Sequence, residues 1–177
     1  MPVIDATTLL CLLDPESATG SDPSTGEPIT DAKARIDHLI TTLEKNGEAT
    51  LIPTPALSEV LVHAGRAGPQ YLQILNSTRC FRIVDFDQRA AVELASMTRE
   101  ALGSGDLRAG TTATRAKLKF DRQIIAIARV NRQTTIYPDD SDIAKLADTL
   151  DLEVIPISAL PSPPEDAQLV LSLGEES

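Results

Sequence analysis

The sequence predicts an α/β domain built on a mostly parallel sheet. Five short apolar, β-prone runs recur along the chain: "PVI", "ATLIPT", "CFRIV", "TTIYP" and "EVIPI". Between them lie longer segments whose apolar residues repeat with the period of a helix, and such alternation is the pattern of parallel crossover connections. At 177 residues the chain is long enough for one domain with a real core, and a 42% hydrophobic content argues against disorder for most of its length.

Each element carries its own signals. "PVI" reads as a buried strand that runs straight into Asp5. A carboxylate there costs several kcal/mol to bury unless it is paired or ligates a metal. Thr54 and Pro55 read as the N-cap and first residue of the helix "PALSEVLVHA". That helix is apolar nearly all round (Ala56, Leu57, Val60, Leu61, Val62, Ala64), which predicts burial on most sides and leaves Glu59 as a carboxylate that is paired or a ligand. Asp87 reads as the N-cap of a helix ending near Gly103, with Ala91, Leu94, Ala95, Thr98 and Leu102 on one face. Asp121 opens a helix to about Arg132, with Ile124, Ile125 and Ala128 on one stripe, and "DIAKLADTL" forms a last helix before the final strand. Residues 14–31, rich in Pro, Gly, Ser and Asp, read as a long surface loop within a domain spanning 1–160, and 161–177 as a C-terminal tail.

Composition narrows the function. A net charge of −10 argues against a generic nucleic-acid coat protein. The charges are unevenly spread, however. No Lys or Arg precedes Lys33, whereas Arg108, Arg115, Lys117, Lys119, Arg122, Arg129 and Arg132 face the lone acid Asp121. That is a local basic stripe on an acidic protein; its plainer reading is a solvated helix face. Cys11 and Cys80 are too few for a disulfide framework or zinc site and read as reduced core thiols. No apolar run approaches the ~20 residues of a membrane span and no secretory leader opens the chain, so the expectation is a soluble, cytoplasmic protein with no membrane partner. Phosphate-cradling Gly-rich motifs are absent, "DATT" has Thr7 where a haloacid-type phosphotransferase needs its second acid, and His38 and His63 give a His-based nuclease little to work with.

The acids are more informative. Asp5 ends the first strand, Glu59 lies early in the helix after the second, Asp121 starts the helix before the fourth, and Asp139, Asp140 and Asp142 follow the fourth. Open parallel sheets form sites at the carboxyl ends of strands, where strand order reverses. If the first and fourth strands are neighbours, these acids converge. Carboxylates within about 5 Å repel by a few kcal/mol per pair at an effective dielectric near 20. Mg2+ or Mn2+ removes that repulsion with hard oxygen ligands, activates water and holds a phosphate. This is the chemistry of metal-dependent phosphodiester cleavage.

The stretches "VIDATTLLCLLD", "PTPALSEVL", "FDRQIIAIA" and "TTIYPDDSDIAKLADTLDLEVIPI" resemble, in order, the PIN-domain nucleases, whose small members include the toxins of VapBC-type toxin–antitoxin pairs. The resemblance covers most of residues 2–160. It implies a three-layer α/β/α sandwich with a parallel five-stranded sheet of order 3-2-1-4-5. It implies a Mg2+- or Mn2+-dependent endoribonuclease with Asp5, Glu59, Asp121 and Asp140 as catalytic metal ligands and Asp142 as a further ligand, Asp139 being adjacent in register. Thr7 falls where the family has a small polar residue supporting the first acid. The implied partners are RNA, held partly by Arg115, Lys117, Lys119 and Arg122, a small antitoxin protein, and a second copy of the chain in a homodimer. Pro138 stands where the family often has Ser or Thr, and Ile143 where an aromatic is usual. The alternative is a non-catalytic PIN module acting as a binding or scaffold protein.

Overall fold

The computed structural model describes residues 1–14, 17, 22, 25–138, 141–148, 150 and 152–164. All five expected strands form, each shorter than its apolar run: β1 (Val3–Ile4), β2 (Thr50–Pro53), β3 (Phe81–Val84), β4 (Thr135–Tyr137) and β5 (Glu153–Val154). They make one parallel sheet in the order β3-β2-β1-β4-β5. The helices are α1 (Ala6–Leu13), α2 (Ala32–Lys45), α3 (Thr54–Ala64), α4 (Gly68–Ser77), α5 (Gln88–Ser104), α6 (Arg115–Val130) and α7 (Ser141–Ala147). The result is the three-layer α/β/α sandwich. No helix among the described residues is long and apolar enough to cross a membrane.

Two apolar clusters hold the layers. The larger joins Val3, Ile4, Leu51, Ile52 and Ile136 of the sheet to α1, α3, α5, α6 and α7. The smaller gathers Ile36, Leu39, Ile40 and Leu43 of α2 with Cys11, Ile29, Cys80, Ile157 and Leu160. Ile29, in the 14–31 stretch, is thus buried core rather than surface loop; residues 15, 16, 18–21, 23 and 24 of that stretch, and the tail from 165, lie outside the described residues. Cys11 and Cys80 are both buried and outside any disulfide, which fits the reading as core cysteines.

Three local expectations shift. Thr54 is the first residue of α3 rather than its cap, because its hydroxyl accepts from the Phe86 N–H at 3.0 Å instead of closing the helix end. Asp87 does cap α5, accepting from the Ala90 N–H at 2.9 Å, but the core face is rotated: Ala90 and Met97 are buried, while Leu102 is 58% exposed. Packing against α6 decides which stripe of a weakly amphipathic helix turns inward. Helix α6 begins at Arg115, six residues before Asp121, because the Thr114 hydroxyl accepts from the Lys117 N–H at 3.2 Å and Leu118 extends the apolar stripe.

Burial, reinforced by a hydrogen bond and the charge of Glu44, pushes the Cys80 thiol up to about 11. An unfolded thiol ionises near pH ~8.5. Between these values the unfolded chain gives up a proton that the folded chain keeps, so stability falls as pH rises through that window and is unaffected by this group below it. Two measurements check this: urea midpoints should drop between pH 8 and pH 10, less so in Cys80→Ala. Iodoacetamide at pH 8 should label Cys80 slowly in the native protein and fast in urea.

Candidate active site at the carboxyl end of the sheet

Strand β1 lies between β2 and β4, so the strand order reverses beside it. Val3 pairs with Leu51 on one side and Ile136 on the other, and Ile4 with Tyr137. This register brings the carboxyl end of β1, where Asp5 follows, level with the end of β4. One carbonyl ties the two ends together. Tyr137 O accepts from the Asp5 N–H at 3.4 Å and from the Thr8 hydroxyl at 2.9 Å. Thr8 is wholly buried.

Asp5 is the N-cap of α1, and its Oδ1 accepts from the Thr8 N–H at 2.8 Å. It is 3% exposed. The supporting hydroxyl residue is therefore Thr8; Thr7, the residue implied by the resemblance, lines the cavity in front of Asp5. Asp121 sits within α6, not at its start, and is 6% exposed. A capping role is thereby excluded for it. Lys117, one turn earlier, places its Nζ 3.1 Å from Asp121 Oδ2 and 3.4 Å from Oδ2 of Asp142, in the first turn of α7.

Glu59 is exposed, which corrects the expectation of a helix buried on most sides. Ser58, Glu59, Val62 and His63 form an open face of α3, with Val62 80% exposed, because that face looks onto a cavity and not onto a neighbouring layer. The cavity, of about 460 Å³, is walled by the first turn of α1, this face of α3, and Lys117, Phe120, Asp121 and Ile124 of α6, with Ile143 of α7. It brings Asp5, Glu59 and Asp121 to one space. Asp142 joins them through Lys117. Asp139 and Asp140 lie outside the described residues.

The available donors are carboxylate oxygens, the chemistry that suits Mg2+ or Mn2+. Among the described residues no three His, Cys, Asp or Glu side chains are gathered closely enough to hold a metal by themselves. The Lys117 ammonium lies beside both Asp121 and Asp142.

The basic stripe divides. Lys117 turns to the acids, whereas Arg115, Lys119 and Arg122 line a second cavity of about 530 Å³ with Arg108, Leu94, Leu107 and Leu118. The Arg122 guanidinium donates to the Leu107 carbonyl, and Arg129 pairs with Glu93 at 2.8 Å.

Comparison with solved structures places this architecture. A chain of a DNA-bound VapBC complex from Salmonella typhimurium superposes with a TM-score of 0.56 at 13% identity, covering 89% of this chain and 99% of that one. A chain of VapBC2 from Rickettsia felis, bound to a DNA fragment from its promoter, gives 0.55 at 12%, covering 87% and 96%. The fold is PIN-like. No family profile and no curated protein matches the chain by sequence. The PIN-like fold accounts for the placing of Asp5 and Asp121; the Lys117 bridge and the exposed Val62 and Phe120 on the cavity wall are features that the sequence reading missed. The i, i+4 spacing of Lys117 and Asp121 was the available signal for the first.

Because Asn caps as well as Asp, Asp5→Asn removes a charge while keeping the cap, whereas Asp5→Ala removes both. Urea denaturation without metal should find Asp5→Ala less stable than Asp5→Asn by about 1 kcal/mol.

Proposed function

We propose that this chain is a Mg2+- or Mn2+-dependent endoribonuclease and the toxin of a toxin–antitoxin pair. The observation that carries the proposal is the convergence of buried Asp5 and Asp121 with Glu59 on one open cavity at the reversal point of the sheet. In this reading Asp5, Glu59, Asp121, Asp140 and Asp142 are the residues that would hold the metal. Once bound, the ion supplies Lewis acidity towards water and the phosphodiester. The protein does the rest. Glu59, exposed on the α3 face that lines the cavity, is the carboxylate that would accept a proton there. Phe120, 40% exposed beside Asp121, offers a face on which a base stacks. Arg108, Arg115, Lys119 and Arg122, around the second cavity across α6, hold the strand through its phosphates.

The likeness to chains of VapBC assemblies supports an antitoxin partner for this chain. Dimerisation is the oligomeric part of the proposal, and exposed Val92 and Leu102 on α5 offer apolar surface for it. The alternative, a non-catalytic binding module, is favoured by one observation: Asp121 and Asp142 are bridged by a lysine, and no ready metal site forms among the described residues.

Cleavage of single-stranded RNA with millimolar Mn2+, compared between wild type and Asp5→Asn, separates the two. The nuclease reading expects cleavage that is lost in Asp5→Asn; no cleavage by wild type supports the binding module. For RNA affinity, replacing Arg115, Lys119 and Arg122 together by Ala should weaken binding to all sequences alike. It should also reduce the slope of log K against log salt by about 2, the value for three single-strand phosphate contacts.

A further inference from the structure

We propose that Lys117 is a tethered cation that occupies the place of the divalent ion and sets how readily the acidic cavity loads with metal. The inference rests on the metal-nuclease reading above and extends it to regulation of the same site.

The Lys117 ammonium bridges one oxygen of Asp121 and one of Asp142, at 3.1 and 3.4 Å. Those oxygens come from different helices, α6 and α7, so the ammonium holds the two elements together. Asp121 is nearly buried, and a buried carboxylate demands a cation at close range. Helix α6 delivers that cation itself, since residues four apart lie on one face. Asp121 and Asp142 are among the residues that would hold Mg2+ or Mn2+ in that reading, and the ammonium already stands between them. A divalent ion brought to the same carboxylates would meet the ammonium at close range, and two cations so near repel strongly. Metal entry therefore requires Lys117 to leave.

Departure is open to it. The Lys117 side chain is 37% exposed, is carried on a flexible four-carbon stem, and lies next to the small side chain of Ala116 on the cavity wall. The other charged groups on that wall, Asp5 and Glu59, keep the cavity acidic after the lysine swings out. The displaced ammonium stays tethered at the cavity mouth, where a phosphodiester would meet it.

Calorimetric titration of the metal-free full chain with Mn2+ tests the proposal. Lys117→Met and Lys117→Gln should bind Mn2+ about tenfold more tightly than wild type, and Lys117→Arg should not. Without metal, Lys117→Met should melt below wild type, and saturating Mn2+ should raise its melting temperature by more than it raises that of wild type. Unchanged Mn2+ affinity in both neutral variants, or a lowered melting point without rescue by Mn2+, overturns the proposal and makes Lys117 a structural partner only. If wild type cleaves RNA and all variants bind Mn2+ equally, this inference alone falls. If none binds Mn2+ and none cleaves, the nuclease reading falls with it. Should Lys117→Met fail to fold, Lys117→Gln carries the comparison.

Discussion

One backbone carbonyl sets the geometry from which the candidate site follows. Tyr137 O, at the end of β4, receives both the Asp5 N–H and the Thr8 hydroxyl. Since β1 has only two residues in the sheet, ladder bonds alone would hold its end weakly. The extra bond from buried Thr8 locks the first turn of α1 to β4, and Asp5 is the residue caught between the strand and that turn. Its carboxylate is oriented twice over, by extended backbone and by the cap it makes to Thr8. A site built on a fixed strand end and a capped helix is more rigid than one built on a loop.

Rigidity of this kind carries an electrostatic cost. Asp5 and Asp121 are both nearly excluded from solvent while opening onto the same cavity. Capping covers part of the demand at Asp5, and Lys117 covers part at Asp121. In each case the sequence places the partner within one helical turn, three residues on at Thr8 and four residues back at Lys117. Local partners of this sort cost little extra chain entropy, because the helix that presents the acid also presents its partner.

Much of this was legible beforehand. Apolar runs of three to six residues mark every strand, and helix-period segments between them imply parallel connections. The strand order came with the resemblance, since periodicity carries no information on which strands pair. Asp5 and Asp121 were found as acids set against apolar sequence, which is a composition signal. What composition could not settle was orientation. Helix α3 looked apolar all round, yet Val62 and Glu59 face open space, because whether an apolar face is covered depends on the neighbouring layer. Thr7 and Thr8 differ by one residue and about 100° of helix, enough to swap lining and support. Charge sign alone groups Lys117 with the basic stripe, whereas its helical phase turns it to the acids.

Helical phase explains why that grouping fails and what replaces it. At 100° per residue, Arg115, Lys119 and Arg122 fall on one side of α6, and Lys117, Asp121 and Ile124 fall nearly opposite. The helix is thus a partition between an acidic cavity and a basic one. A protein of net charge −10 repels a polyanion at long range, yet within a Debye length of about 10 Å the local cluster outweighs the distant charges. Four cations around one cavity make that local field, and an apolar floor of Leu94, Leu107 and Leu118 lowers the dielectric beside them. The acids, meanwhile, remain on the far side of the same helix, where a cation and not a phosphate is the first thing they attract. One helix, through its phase alone, keeps an acidic cavity and a basic one from cancelling each other.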